Sequence, residues 1–287
     1  MADAQARSPY AGWAEYWNSP ATRPWAEQHE RQDRGLAGLA TAVLELAAAQ
    51  PGERVLDIGC GAGTTLLALA AQVGPSGYVL GADISEQSVA RACERVATAE
   101  LEQAEVVCAD VATHAFAAAS FDLAFSRLGV MFFDDPTAAF ANVRRAIKPG
   151  GRAALAVFRT PRENLWPNAP LEAVRHLLPP MTPPTPDEPG MFSWADPARV
   201  HRILESAGFR EVSLAPVDVI MELAGSGGAM EAAEFAMLFG PLTRLLPGLP
   251  PEQHDAVRAA LERFFESHGT QQGVVLPAAF WVVQARA

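Results

Sequence analysis

The chain has 287 residues, of which 49% are hydrophobic and 19% charged, a composition typical of a globular protein. Its 22 basic and 33 acidic residues give a net charge of −11, which disfavours nucleic-acid binding because that depends on Lys and Arg contacts to phosphates. Without a signal peptide, a membrane-spanning apolar run or metal-ligand cysteine spacing, we expect a cytoplasmic protein with no membrane insertion and no metal site.

Aromatic residues crowd the first part of the chain, and we predict an irregular aromatic arm or lid over residues 1–35. The aromatic residues concerned are Tyr10, Trp13, Tyr16, Trp17 and Trp25. The alternative is a hydrophobic anchor that packs a terminal arm onto the domain. Trp17 and Trp25 suit either role, and as part of a lid they would contact the substrate, because aromatic faces attract cations.

From residue 36 onward, helical and extended patterns alternate. The predicted elements are a helix over 36–49, a strand over 55–58, a helix over 64–73, a strand over 78–83, a helix over 86–98, strands over 104–109 and 121–126, a helix over 135–147 and a strand over 152–158. Such alternation predicts an α/β domain whose parallel sheet has helices on both faces.

Two insertions interrupt the pattern after Arg159. Ten of the 23 prolines lie between Pro161 and Pro197, which predicts neither regular helix nor central strand there. We predict a helix over 197–208, an extended segment over 211–223, two helices over 225–273 and a closing strand over 274–285. The domain over 36–287 therefore has a seven-stranded, mostly parallel sheet, with a helical and proline-rich cap from insertions at about 160–196 and 225–273.

The most informative motif is the glycine loop after the first strand. Gly59, Gly61 and Gly63 are spaced by two, whereas a dinucleotide-binding fingerprint has its third glycine three residues after the second. Asp57 precedes the loop and would repel a pyrophosphate. The loop therefore favours a nucleoside that carries positive charge, with glycines that let backbone approach it.

Acidic residues also end the next two strands. Asp83 lies where an acid in this architecture accepts hydrogen bonds from ribose hydroxyls. Asp110 can bond an adenine amino group, while Val111 covers the ring. For each aspartate the alternative is an ordinary capping or turn residue.

In order and spacing, these motifs resemble the class I S-adenosylmethionine-dependent methyltransferases over roughly residues 40–160. Segments 16–18, 131–136 and 163–166 resemble a bacterial small-molecule branch grouped with the ubiquinone/menaquinone-type enzymes. The resemblance implies a Rossmann-like fold that holds the methionine moiety at Gly59 to Gly63. It further implies the following roles: Asp57 at the ammonium group, Asp83 and Ile84 at the ribose, Asp110 and Val111 at the adenine, and Ser126 beside the methionine part, facing the acceptor.

The segment after Ser126 departs from the family pattern, which continues with histidines or a short apolar helix. Arg127 is either a substrate clamp or the salt-bridge partner of Asp134 or Glu163, and Met131 is a further candidate substrate contact. No general base can be assigned. His29 in the arm and His176 in the proline-rich insertion are the histidines that topology places near the cleft.

We therefore expect methyl transfer from S-adenosylmethionine to a small apolar or aromatic metabolite, on oxygen, nitrogen or carbon, by a monomer or a homodimer. Two alternatives stay open. One is a non-methylating homologue that binds the same cofactor, either a cyclase or a silent partner subunit. The other is a nicotinamide-dependent oxidoreductase.

Overall fold

A computed structural model describes residues 12–181, 185, 187–225, 227–270 and 273–287. The first part of the predicted arm, including Tyr10, lies outside these residues, as do short pieces of both predicted insertions.

The described part of the arm is helical, so the prediction of irregular structure there is wrong. Its helices are α1 (Trp13–Trp17), α2 (Arg23–Glu27) and α3 (His29–Gly35), followed by α4 (Ala37–Ala47). A 3-10 turn over Pro20–Thr22 separates α1 from α2. Proline is tolerated in a first helical turn, so Pro20 and Pro24 each begin a new short element rather than break one.

The middle of the chain alternates as predicted. Its elements are β1 (Arg54–Ile58), α5 (Thr64–Val73), β2 (Tyr78–Asp83), α6 (Glu86–Thr98), β3 (Ala104–Cys108), β4 (Phe121–Arg127), α7 (Pro136–Ala146) and β5 (Ile147–Phe158). Side-chain caps fix two of the helix starts, because Ser85 accepts from the Ser88 amide and Asp135 from the Ala138 amide.

The C-terminal part supplies the cap and the last strands. Its elements are α8 (Leu165–Ala173), α9 (Pro197–Ser206), β6 (Arg210–Glu222), α10 (Gly228–Leu238), α11 (Pro251–Glu266), β7 (Gly269–Thr270) and β8 (Gly273–Arg286). The prediction of no regular helix in the proline-rich insertion is wrong for α8. Pro167 lies in its first turn, where amides have no intrahelical partner, and burial of Trp166 and Leu171 offsets the bond lost at Pro170.

The sheet has the order β3-β2-β1-β4-β5-β8-β6, and β7 pairs with β8. Strands β1 to β5 are parallel, and β8 runs antiparallel to both β5 and β6. The mostly parallel sheet is confirmed, with the two-residue β7 added to the seven predicted strands. The strand order reverses at β1, which has β2 on one side and β4 on the other, and ligands of open α/β sheets bind beside such a point.

Among the described residues, no helix combines the length and the apolar character that crossing a membrane requires.

Candidate functional site

A cavity of about 490 Å³ lies at the carboxyl ends of β1 to β4. Its size is that of a small-molecule site. One end is formed by the loop after β1 together with Asp83 and Asp110. The other end is mainly aromatic and includes Trp13, Trp17, Trp25, Phe132, Trp166 and Phe235. The arm, the sheet and both insertions thus share one cavity, which has a hydrogen-bonding end and an apolar end.

Glycine is favoured at each of the three positions of the loop for a different structural reason. A Cβ added at Gly59 would lie 2.8 Å from the Cα of Gly129, so this glycine permits two backbones to cross. Gly63 packs against α6, where an added Cβ would lie 3.2 Å from the Cβ of Ala92. Gly61 has φ +55° and no protein atom within 4 Å of an added Cβ, and it lines the cavity. Gly61 is therefore the one of the three whose added Cβ would meet open space, and its positive φ independently favours glycine.

Asp83 connects this loop to the end of β2. Its Oδ2 accepts from the Gly61 amide and its Oδ1 from the Ser85 amide, both at 2.8 Å. Burial raises the pKa of Asp83 despite these two backbone hydrogen bonds. A carboxylate has about four acceptor positions, so Asp83, which lines the cavity, is not saturated by these amides. Ile84 and Ser88 line the same end.

Asp110 and Val111 follow β3 and line the cavity, and their predicted contact with an adenine stays a prediction. The Asp110 carboxylate is exposed and accepts from the Ala112 amide at 2.9 Å, whereas the Val111 side chain is buried. A planar group that lies against Val111 would find this carboxylate at its edge.

Asp57 is completely buried and is not part of the cavity wall. One of its oxygens accepts from the Thr65 hydroxyl at 2.8 Å, and the other has no hydrogen-bond partner among the described residues. Burial raises its pKa to about 7, although the Thr65 hydrogen bond opposes this. The structure therefore provides no direct path from this carboxyl to a ligand, and its predicted contact with an ammonium group stays a prediction.

Ser126 differs from its predicted role. It is fully buried and does not line the cavity. Its hydroxyl donates to the Ile58 carbonyl at 2.8 Å and accepts from the Gly129 amide at 3.2 Å, so it ties together the ends of β1 and β4. Leu128 follows with φ +64°, a conformation that costs a non-glycine residue about 1–3 kcal/mol and that clusters at functional sites.

Asp33 is a site residue that the sequence analysis missed. Its Oδ1 lies 2.9 Å from Nη2 of Arg127, and its Oδ2 lies 3.3 Å from Nδ1 of His29 and also accepts from the Thr64 hydroxyl. Burial alone would raise its pKa, but the Arg127 charge and these hydrogen bonds hold the pKa below its ordinary value. His29 and Asp33 are four residues apart on a helix, and that spacing is the signal that was available in the sequence.

This arrangement corrects two predictions. Arg127 pairs with Asp33 and not with Asp134 or Glu163, and Glu163 pairs instead with Arg159. His176 lies exposed in a 3-10 turn and does not line the cavity, because the proline-rich insertion turns it outward. His29, Trp17, Trp25, Arg127 and Met131 all line the cavity.

Polar and cation–π contacts on α1 and Asn18 fix the first part of the arm. The Asn18 side chain donates to the Ile84 carbonyl at 3.0 Å and accepts from the Glu86 amide at 2.9 Å, directly after β2. Arg244, from the second insertion, lies over the rings of Trp13 and Tyr16 at 4.3 and 4.5 Å. The aromatic end of the cavity is therefore held from both sides.

Among the described residues, no group of three or more His, Cys, Asp or Glu side chains has the arrangement of a metal site.

Comparison with known proteins identifies the family to which part of this chain belongs. Residues 55–151 match a family described as a methyltransferase domain. The chain contains a class I methyltransferase domain. This confirms the resemblance found in the sequence, and the matched residues carry the glycine loop, Asp83 and Asp110.

The methyltransferase domain has relatives of several kinds. The chain is 33% identical over 182 residues to nocamycin O-methyltransferase of Saccharothrix syringae, covering 61% of this chain and 65% of that protein. A phosphoethanolamine N-methyltransferase of Haemonchus contortus, solved with S-adenosylhomocysteine, has a TM-score of 0.54 at 18% identity over 86% of this chain and 52% of that one. The [4+2]-cyclase SpnF has the same TM-score of 0.54 at 21% identity, over 86% and 80%.

These likenesses have defined limits. The two structural matches show the fold alone, which hosts both methyl transfer and cyclisation. The chain spans 32% of the length of a curated relative encoded in a Streptomyces fradiae transposon and 65% of the nocamycin enzyme. These relatives therefore do not establish the activity of the whole chain.

The buried carboxyl of Asp57 predicts a pH dependence of stability. Its pKa is about 7 in the folded protein against 3.8 for an ordinary aspartate, so the folded state binds this proton more tightly than the unfolded state. Its contribution to stability therefore falls as the pH rises from about 4 to about 7. The Asp57→Asn variant cannot ionise at this position. We measure the free energy of unfolding of the variant minus that of wild type by urea unfolding. We expect this difference to be larger at pH 8 than at pH 5 by about 1–3 kcal/mol.

Asp122→Asn is the matched control. Burial would raise the pKa of Asp122, but the hydrogen bonds from Lys148 and the Arg54 amide and the charges of Lys148 and Arg152 together lower it, so this carboxylate is ionised at both pH values. A stability difference between Asp57→Asn and wild type that is equal at pH 5 and pH 8 would contradict the assignment.

Proposed function

We propose that this protein transfers a methyl group from S-adenosylmethionine to a small apolar or aromatic metabolite. The observation that carries the proposal is that one cavity is lined both by hydrogen-bonding groups that follow β1 to β3 and by aromatic side chains of the arm and the insertions. When bound, S-adenosylmethionine supplies a methyl group on a positively charged sulfur. The nocamycin relative, named as an O-methyltransferase, supports the same class of reaction.

The residues at the hydrogen-bonding end fit this cofactor. Open space beside Gly61 admits a ligand that an added Cβ would obstruct, and Asp83 keeps acceptor positions for two neighbouring hydroxyls. Asp110 and Val111 offer a carboxylate and an apolar surface to an aromatic ring.

The aromatic end would orient the acceptor and exclude water. The rings of Trp17 and Trp25 meet edge to face at 5.4 Å, and Trp13 lies 4.5 Å from Phe132. Aromatic faces attract cations, so these rings suit both an apolar acceptor and a neighbouring sulfonium. Holding two reactants in line at contact distance can supply about 7–11 kcal/mol of the barrier, and exclusion of water strengthens the electrostatics of the site.

Residues 1–35 would act as the lid of this site, and residues 36–287 would form the domain that it covers. The docking of Asn18 beside Ile84 and the lining roles of Trp13 and Trp17 support this division. We propose a small molecule as the partner, since five of the charged side chains around the cavity are aspartates, which would repel a nucleic acid: Asp33, Asp83, Asp110, Asp134 and Asp135.

A pair of glycine variants tests the cofactor end. Gly61→Ala would place a methyl group in the space beside the loop, so we expect at least a roughly tenfold loss of S-adenosylhomocysteine affinity by calorimetry. Gly150 is the matched control, since it also has positive φ and no atom within 4 Å of an added Cβ, yet lies outside the cavity wall. Equal affinities for the two variants, or binding of NADH in place of S-adenosylhomocysteine, would contradict the proposal.

The activity itself is tested with a methyl donor that carries an isotopic label in its methyl group. Incubated with this donor and a bacterial metabolite extract, the protein should produce a small molecule heavier by one labelled methyl group, detected by mass spectrometry. Binding of the donor without any labelled product would favour the cyclase or silent-subunit alternative.

A further inference from the structure

The cavity is also lined by a cluster of polar side chains that the proposed cofactor contacts leave without a role. Asp33 on α3 holds Arg127 from the end of β4 and His29 one helical turn away. Thr64, at the start of α5, donates to the same carboxylate. All four residues line the cavity, so the cluster faces the place where an acceptor would meet the cofactor.

Arg127 has an unused donor. Its Nη2 is bound to Asp33, but Nη1 is buried and has no hydrogen-bond partner among the described residues. A buried guanidinium nitrogen without a partner costs free energy, and an oxygen atom of a ligand in the cavity would satisfy it. The lining residues that follow Arg127 in the chain, Met131, Phe132 and Phe133, are apolar.

His29 is oriented to accept a proton. Its Nδ1 lies 3.3 Å from Oδ2 of Asp33 and 3.5 Å from Nη1 of Arg95. In the tautomer whose Nδ1 donates to Asp33, Nε2 is unprotonated and able to accept. Nε2 makes no hydrogen bond with the described residues, and the ring lines the cavity.

The charges next to Arg127 and His29 favour a negative charge on the ligand, whereas the aspartates that line the rest of the cavity oppose it. Asp33 carries one negative charge, while Arg127 and Arg95 carry two positive charges. The other groups that act on these side chains are Asp57, whose pKa is about 7, and Glu30, whose charge acts on Arg95. At pH 6 most of the Asp57 carboxyl is protonated, so a single oxyanion would be attracted, whereas a protonated amine would be repelled.

Resting on the proposed function, we infer that the acceptor is a phenol or an enol, with Arg127 binding its oxygen, His29 accepting its proton and Asp33 positioning both. The hydroxyl oxygen forms a bond to the transferred methyl carbon as the methyl–sulfur bond breaks, and that electron pair stays on sulfur. The hydroxyl proton passes to Nε2 of His29 and then to water. Oxygen is thereby selected over nitrogen and carbon as the methylated atom.

The test uses 4-nitrophenol as the probe, because its ionised form absorbs visible light. The full chain, saturated with S-adenosylhomocysteine at pH 6, should bind it as the phenolate, with the midpoint of its ionisation lowered by about one pH unit or more. 4-Nitrotoluene has a similar shape without the hydroxyl, and 4-nitroaniline carries an amine instead. Both should bind at least about tenfold more weakly, a comparison that needs no variant.

Substitutions at Arg127, His29 and Asp33 test the role of each residue. Arg127→Leu and His29→Gln should each reduce the fraction of bound phenolate at pH 6 about tenfold. Arg31→Leu is the matched control, since Arg31 pairs with Glu231 and Glu234 away from the cavity and should leave that fraction unchanged. Asp33→Asn should weaken binding of 4-nitrophenol, and Asp33→Glu should restore part of it, which a purely structural role would not predict.

The two proposals fail in distinguishable ways. If the wild-type protein does not bind S-adenosylhomocysteine, the proposed function is overturned. If it binds S-adenosylhomocysteine but 4-nitrophenol does not bind, stays neutral, or binds no better than 4-nitrotoluene, the phenol or enol assignment is overturned while the proposed function stands.

Discussion

The crossing of two backbones at Gly59 and Gly129 sets the geometry of the whole site. No side chain fits between them, because a Cβ on Gly59 would lie 2.8 Å from the Cα of Gly129 and a Cβ on Gly129 would lie 2.8 Å from the Ile58 carbonyl oxygen. The buried hydroxyl of Ser126 bonds to both strand ends and stabilises the crossing. The loop after β1 continues from this crossing to Gly61, and the segment after β4 reaches it through Arg127 and Leu128.

The site is assembled from segments that are far apart in sequence. Strands β1 to β4 provide the polar end, as expected for an open parallel sheet. The arm provides Asp33, His29 and three tryptophans, and the insertions provide Trp166 and Phe235. The ion pair between Asp33 and Arg127 spans 94 residues and joins the arm to the sheet. Because both partners are largely buried, removing either would leave an uncompensated charge in the wall of the cavity.

The sequence was sufficient wherever local patterns determine the structure. Alternation of apolar runs and helix formers located the elements from β1 to β5, and the spacing of the glycines separated this loop from a dinucleotide-binding loop. Asp83 was found because it ends a strand at a fixed distance from that loop, and the structure places its carboxylate against the Gly61 amide.

The sequence was insufficient wherever tertiary packing decides the outcome. Helix α8 forms in spite of Pro170 because Trp166 and Leu171 are buried against the domain. Asp33 was missed, and Arg127 was assigned other partners, because their contact depends on how α3 docks across the cavity. His176 was placed near the cleft by chain topology, which does not specify the direction in which an insertion turns.

The account depends most on the claim that the polar end of this cavity holds an adenosyl group. A crystal structure of the protein with S-adenosylhomocysteine tests that claim directly. We expect both ribose hydroxyls within hydrogen-bond distance of the Asp83 carboxylate, the adenine against Val111, and the amino-acid part beside Gly61. Adenosine bound elsewhere, or a phosphate-bearing molecule in this end of the cavity, would contradict the account.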